Sequence, residues 1–149
     1  FIAELLAAGV IEYAQLHGSE DAAYIEALRK RTALLGKTAK IIKTVKVGSA
    51  ADLENISEID CEYLLLDAWS KEGEAAGGNG RTFDWSLIKA LEKPFFLAGG
   101  LTVDNVQQAV RMTSPYGIDA SSCMETEDCK DLNKMKAFAQ AVRVTETNN

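Results

Sequence analysis

The sequence predicts an α/β protein built on a parallel sheet of five strands with flanking helices. Three observations carry that reading. Five runs of strand-forming residues occur at 10–16, 40–47, 62–67, 94–98 and 117–120. Helix-spaced segments separate them, which is the order of a parallel sheet with helical crossovers. The run EYLLLD (62–67) is apolar at its centre on both faces, which suits a strand covered by helices on one side and packed on the other.

Each element follows from local pattern. Residues 1–8 carry apolar side chains at helical spacing and stop at Gly9. The strand 10–16 ends in His17-Gly18, after which Ser19 is placed to cap a helix running through Tyr24, Ile25 and Leu28. The strand 40–47 closes at Gly48-Ser49, and a short helix is expected over 52–59. The loop 70–82 is polar and glycine-rich, and helical spacing resumes over 84–91. A helix over 103–111 links the strands 94–98 and 117–120, and a last helix covers 132–142. Residues 145–149 are polar and expected to fray. No low-complexity linker divides the 149 residues, so a single domain is expected over 1–149.

Composition narrows the function. A net charge of −6 argues against a nucleic-acid partner. No apolar run approaches the roughly 20 residues of a membrane helix, and no signal segment opens the chain. The three cysteines, Cys61, Cys123 and Cys129, lack metal-binding spacing, and the chain has one histidine. A zinc site is not expected, and reduced thiols suit a cytoplasmic location.

The chemistry concentrates at two strand ends. FFLAGGL (95–101) and GIDASS (117–122) each break from apolar residues into small ones. In a parallel βαβ unit their carboxyl ends lie side by side. Gly99 and Gly100 leave backbone N–H groups uncovered for an anion, and Ser121 and Ser122 add hydroxyl donors. Two such clusters on consecutive strands indicate a small phosphorylated metabolite, although glycine and serine also punctuate ordinary turns. Asp119 stands one strand period from Ser121, so the two share a face. Its carboxylate is either a partner for a sugar hydroxyl or amine or a structural group. Asp67, directly after Leu64-Leu65-Leu66, sits beside apolar surface that would raise its pKa and keep a proton available.

Five strands do not close an eight-stranded barrel, which takes about 200–250 residues. The pattern leaves two architectures, an open doubly wound sheet and a truncated barrel. In either, the first and last strands are edges that favour self-pairing.

The runs QLHG (15–18), LLLDA (64–68), GGNGRTFDW (77–85), FFLAGGLTVDNV (95–106) and PYGIDASS (115–122), followed by Glu125 and Lys130-Asp131, resemble the phosphoribosylanthranilate isomerase family in order and spacing. The resemblance covers essentially the whole chain. It implies an incomplete (β/α)8 TIM barrel whose five parallel strands correspond to strands four to eight. It also implies a cofactor-free isomerase of tryptophan biosynthesis acting on a phosphorylated sugar by an Amadori rearrangement.

By the same resemblance Asp67 is the general acid, and Gly99, Gly100, Asp119, Ser121, Ser122 and His17 surround the substrate. The family's first strand, with a Lys-Ile-Cys-Gly motif bearing the general-base cysteine, has no counterpart at a matching position, nor has an arginine that holds the anthranilate carboxylate. The chain alone is therefore expected to be inactive, and pairing with the missing amino-terminal segment is expected. The family usually has glycine where Cys123 stands. A non-catalytic sugar-phosphate-binding fragment, or another phosphate-binding barrel enzyme, is the alternative.

Other residues are assigned supporting parts. His17 has no serine or cysteine motif to pair with and is given a positioning or packing role. Lys43 and Lys46, three apart on one strand, should face opposite sides, with one turned inward to a carboxylate and the other solvated. The loop 77–81 could close over a sugar. Trp69, Phe83, Trp85 and Phe95 are assigned to the core. None of the cysteines is assigned as the base. Cys61 precedes its strand, Cys129 lies in a polar helix approach, and Cys123 adjoins the expected phosphate, which would disfavour a thiolate.

Overall fold

The computed structural model describes residues 1–68, 82–88 and 91–146. Trp69 and the loop 77–81 lie outside the described residues. The five expected strands form one parallel sheet: β1 (Ala14–Leu16), β2 (Ile41–Val47), β3 (Tyr63–Ala68), β4 (Phe95–Leu97) and β5 (Gly117–Ile118). Their order in space is β1-β2-β3-β4-β5, the order of the chain. That order never reverses, whereas a doubly wound sheet has a switch point where it does. Right-handed crossovers then place every connecting helix on the same face.

The strand pattern shows which face that is. Ile41, Val47, Leu64, Leu66 and Leu97 are fully buried. They join Ile25 and Leu28 of α2 (Ala22–Leu34), Val106 and Ala109 of α3 (Val106–Thr113), and Phe138 and Ala141 of α4 (Leu132–Glu146) in one core. The short α1 (Ile2–Ala7) adds Ala3 and Leu6. Phe83, Trp85 and Phe95 lie in this core as expected. On the opposite face Thr44 and Leu65 are buried, Tyr63 and Phe96 half-buried, and Lys46 exposed. At its amino-terminal end Tyr63 packs against Tyr13, Phe96 and Tyr116, with ring centroids 4.8–5.7 Å apart. A hydrogen bond with Tyr116 pushes the Tyr63 phenol up to about 12.

Several elements differ from expectation for local reasons. Asp21, not Ser19, caps α2, its carboxylate accepting the Tyr24 N–H at 2.8 Å. The helix expected over 52–59 is two 3₁₀ turns, Ala50–Leu53 and Ile56–Glu58, because Asn55 takes a left-handed conformation (φ 58°) between them. Among the described residues of the 84–91 segment, the helical part is a 3₁₀ turn, Trp85–Leu87, which ends where Ile88 becomes extended. The strand expected from residue 10 begins at Ala14. Cys129 does lie in the approach to α4, but within an unexpected hairpin, β6 (Glu125–Thr126) and β7 (Cys129–Lys130), that follows β5.

Candidate functional site

Because all five strands run the same way, their carboxyl ends share one edge. Asp67 ends β3, Gly99 and Gly100 follow β4, and residues 119–122 follow β5. Two further bonds carry the pairing past the strands: Ala98 N–H to Leu66 O at 2.8 Å, and Asp119 N–H to Leu97 O at 2.9 Å. The two small-residue turns therefore emerge next to each other. His17 also leaves the sheet at this edge, but from β1, four strands from β5. At about 4.8 Å per strand that is on the order of 19 Å along the sheet. The fold thus groups Asp67, the glycines and the serine turn, and sets His17 apart.

Gly99 shows why glycine is needed. Its φ of +82° disfavours any side chain, and a Cβ there would fall 2.6 Å from Ala68 Cβ and 2.7 Å from Asp67 Oδ1. The turn after β4 is thus pressed against the end of β3, beside the Asp67 carboxylate. Gly100 follows in the same left-handed region (φ +65°). Asn105 secures the turn: its Oδ1 accepts the Thr102 N–H at 2.8 Å, and its Nδ2 donates to Gly100 O at 3.0 Å. Asn105 was missed in the sequence, although a polar amide three residues after Thr102 is the usual spacing for such a side-chain-to-backbone bond.

Asp67 has as its partner one of the two lysines, of which at most one was expected to turn inward to a carboxylate. Lys46 Nζ donates to Asp67 Oδ2, and the two residues sit opposite each other in the β2–β3 register. The Asp67 side chain is 26% exposed and that of Lys46 46%, so the pair borders solvent as well as the apolar surface expected beside Asp67. The two lysines do face opposite sides. Lys43 is not solvated, however: it is buried on the helix face, bonding Gly18 O at 2.9 Å and Glu20 at 2.8 Å. It thereby anchors the loop that carries His17.

The second turn is held by the hairpin. Lys130 Nζ lies 2.8 Å from Ser121 Oγ, 3.3 Å from Ser121 O and 2.6 Å from Glu125 Oε1. The same contact holds the Glu125 carboxyl below its usual range. Ser121 is exposed and Ser122 half-buried at the start of a 3₁₀ turn, Ser122–Met124. Asp119 is exposed; β5 ends at Ile118, so strand periodicity does not reach from Asp119 to Ser121. Cys123 is half-buried, and burial pushes its thiol up, as it does for Cys61. Among the described residues no group of three or more His, Cys, Asp or Glu could hold a metal, and no helix is long and apolar enough to cross a membrane.

Fold and edge together define a β/α protein with glycine and serine turns gathered beside a carboxylate–ammonium couple. The comparisons give the family. The family model for N-(5'-phosphoribosyl)anthranilate (PRA) isomerase matches residues 1–141, and the chain belongs to that family. It is 41% identical over 149 residues to the N-(5'-phosphoribosyl)anthranilate isomerase of Acetivibrio thermocellus, covering 95% of this chain and 66% of that protein. The crystal structure of phosphoribosyl anthranilate isomerase from Thermotoga maritima superposes with a TM-score of 0.75 at 30% identity, over 96% of this chain and 67% of that one. A phosphoribosyl anthranilate isomerase in complex with reduced 1-(o-carboxyphenylamino)-1-deoxyribulose 5-phosphate superposes with a TM-score of 0.71 at 26% identity, over 96% and 65%. The chain spans slightly less than two thirds of the length of the curated relatives it matches.

Proposed function

We propose that this chain is five-eighths of a (β/α)8 barrel, a single partial domain, belonging to an isomerase of tryptophan biosynthesis. The reaction converts N-(5'-phosphoribosyl)anthranilate to 1-(2-carboxyphenylamino)-1-deoxyribulose 5-phosphate. The observation that carries the reading is the carboxyl edge, where Gly99 is pressed against Asp67 next to the Ser121-Ser122 turn. Support comes from the unreversed strand order and from the share of its relatives that the chain spans.

In this reading the substrate phosphate lies against the backbone N–H groups of Gly99 and Gly100 and the hydroxyls of Ser121 and Ser122. As its carboxylic acid, Asp67 gives a proton to the ribose ring oxygen as the C1–O bond opens, leaving a protonated Schiff base on the anthranilate nitrogen and the carboxylate that Lys46 holds. A base then removes the C2 proton, and the enolamine tautomerises to the ketose. Lys46 orients the Asp67 carboxylate. Asp119 accepts from a sugar hydroxyl or the substrate amine, and His17 supports the rim from the β1 side. The base and the clamp for the anthranilate carboxylate come from strands outside these five, so the 149 residues alone turn over little substrate. Removing one member of an acid/base pair typically costs about a hundredfold or more.

Calorimetry with the reduced product analogue, beside a fluorescence assay of turnover, tests this. Binding without appreciable turnover is expected, weakened in Gly99→Ala. Failure to bind the analogue defeats the assignment of the site, and turnover near that of full-length relatives defeats the assignment of the base.

A further inference from the structure

The two turns supply neutral donors for an anion, yet their surroundings are acidic. Asp119 is exposed on one side, Glu125 lies within 3.2 Å of Ser121 Oγ, and the chain as a whole carries −6. A phosphate near −2 in that field needs a counter-charge as well as hydrogen bonds. Among the described residues, Lys130 is the cationic side chain that touches Ser121. It does so at both the hydroxyl and the carbonyl, and its side chain is half exposed.

Its position is set by the hairpin. Glu127 and Asp128 both take positive φ (51° and 60°), which turns β7 tightly back and brings Lys130 directly opposite Glu125. Asp131 fixes the base of the hairpin. Its Oδ2 accepts the Thr126 hydroxyl at 2.9 Å, and its Oδ1 accepts the Asn133 and Lys134 N–H groups that open α4. Lys134 is spent elsewhere, donating to Glu125 O at 2.6 Å.

We infer that Lys130 is the cation of the phosphate subsite, held in waiting by Glu125 and Ser121 until the anion takes over its ammonium. This rests on the phosphate reading of the two turns. Glu125 is then a competitor for the ammonium, so the two residues have opposite effects when removed.

The test is calorimetric titration of the chain with ribose 5-phosphate and with inorganic phosphate. Lys130→Met should weaken both about tenfold, the scale of a lost charged hydrogen bond, while Lys130→Arg retains most of the affinity. Glu125→Gln should tighten both severalfold by releasing the ammonium. A hairpin that merely braces the turn gives the other result: Glu125→Gln weakens binding along with Lys130→Met, which overturns the inference, as does a folded Lys130→Met that binds like the parent. If the unaltered chain binds neither anion, the phosphate reading itself fails and takes this inference with it. The sign of the Glu125→Gln effect stands even if Lys130→Met does not fold.

Discussion

At the scale of single residues, the site depends most on one glycine. Gly99 meets two separate demands, a left-handed backbone and the absence of a Cβ where Asp67 and Ala68 close in. An alanine there would either twist out of that conformation or push β3 away, moving the Asp67 carboxylate. Gly99→Ala is expected to lower stability by about 1–3 kcal/mol, in the range of strain at a special backbone position, and urea unfolding measures it. Gly36 is the control: it has a similar φ of +80° but open space around its Cβ, so Gly36→Ala carries the backbone strain alone. Equal losses at the two sites would show that the contact with β3 contributes nothing. The glycine pair was plain in the sequence because strand-to-turn breaks are local. The particular partners of Lys46, Asn105 and Lys130 were not, because they are fixed by register or by a turn that composition does not announce.

At the scale of elements, the five strands and four α-helices could be read from periodicity, and the 3₁₀ turns and the β6–β7 hairpin could not. A single left-handed Asn55 splits what looks like a helix, and the β6–β7 hairpin turns on Glu-Asp where Asn-Gly would have been the readable signal. The β1–α2 loop was misread for a related reason. Whether Lys43 is solvated depends on Glu20, a neighbour contributed by another element, and together they tie the loop to the sheet. Lys43→Met removes the ammonium from Gly18 O and Glu20, which still reach water, and a loss of about 1 kcal/mol is expected, the net worth of a typical hydrogen bond.

The same pair predicts a pH response. Lys43 lowers the Glu20 pKa below its ordinary 4.5, with a further contribution from the backbone. A carboxyl depressed in the folded state binds fewer protons there than when unfolded. Its stabilisation is complete above 4.5 and disappears as the pH falls through the depressed folded value. Urea midpoints measured downward from pH 6 should therefore fall less steeply in Lys43→Met than in the parent; parallel curves would remove the pair from the account.

At the scale of the whole molecule, the sheet's two faces are unequal, and that inequality is the strongest argument about completeness. One face lies under helices, while the other leaves Tyr63, Phe96 and Lys46 partly open and Tyr116 65% exposed. Among the described residues, β1 and β5 each pair on one side only. Closing eight strands would pair both edges and bury the open face, with Asp67 at the mouth. Co-expression with the segment of the Acetivibrio thermocellus relative that this chain does not match should give a one-to-one complex with isomerase activity. Asp67→Asn in this chain should cut that activity by a factor on the order of 10²–10⁴, as for loss of a general acid. The chain alone should associate with itself in a concentration-dependent way through its edges, and the added segment should suppress that association. A complex that binds the reduced product analogue and keeps its activity in Asp67→Asn would place the catalytic acid elsewhere, since the barrel would then be whole and only that carboxyl changed. A chain that remains a monomer with or without the segment would show instead that its open face is stable in water, and the barrel reading would fall before the chemistry was reached.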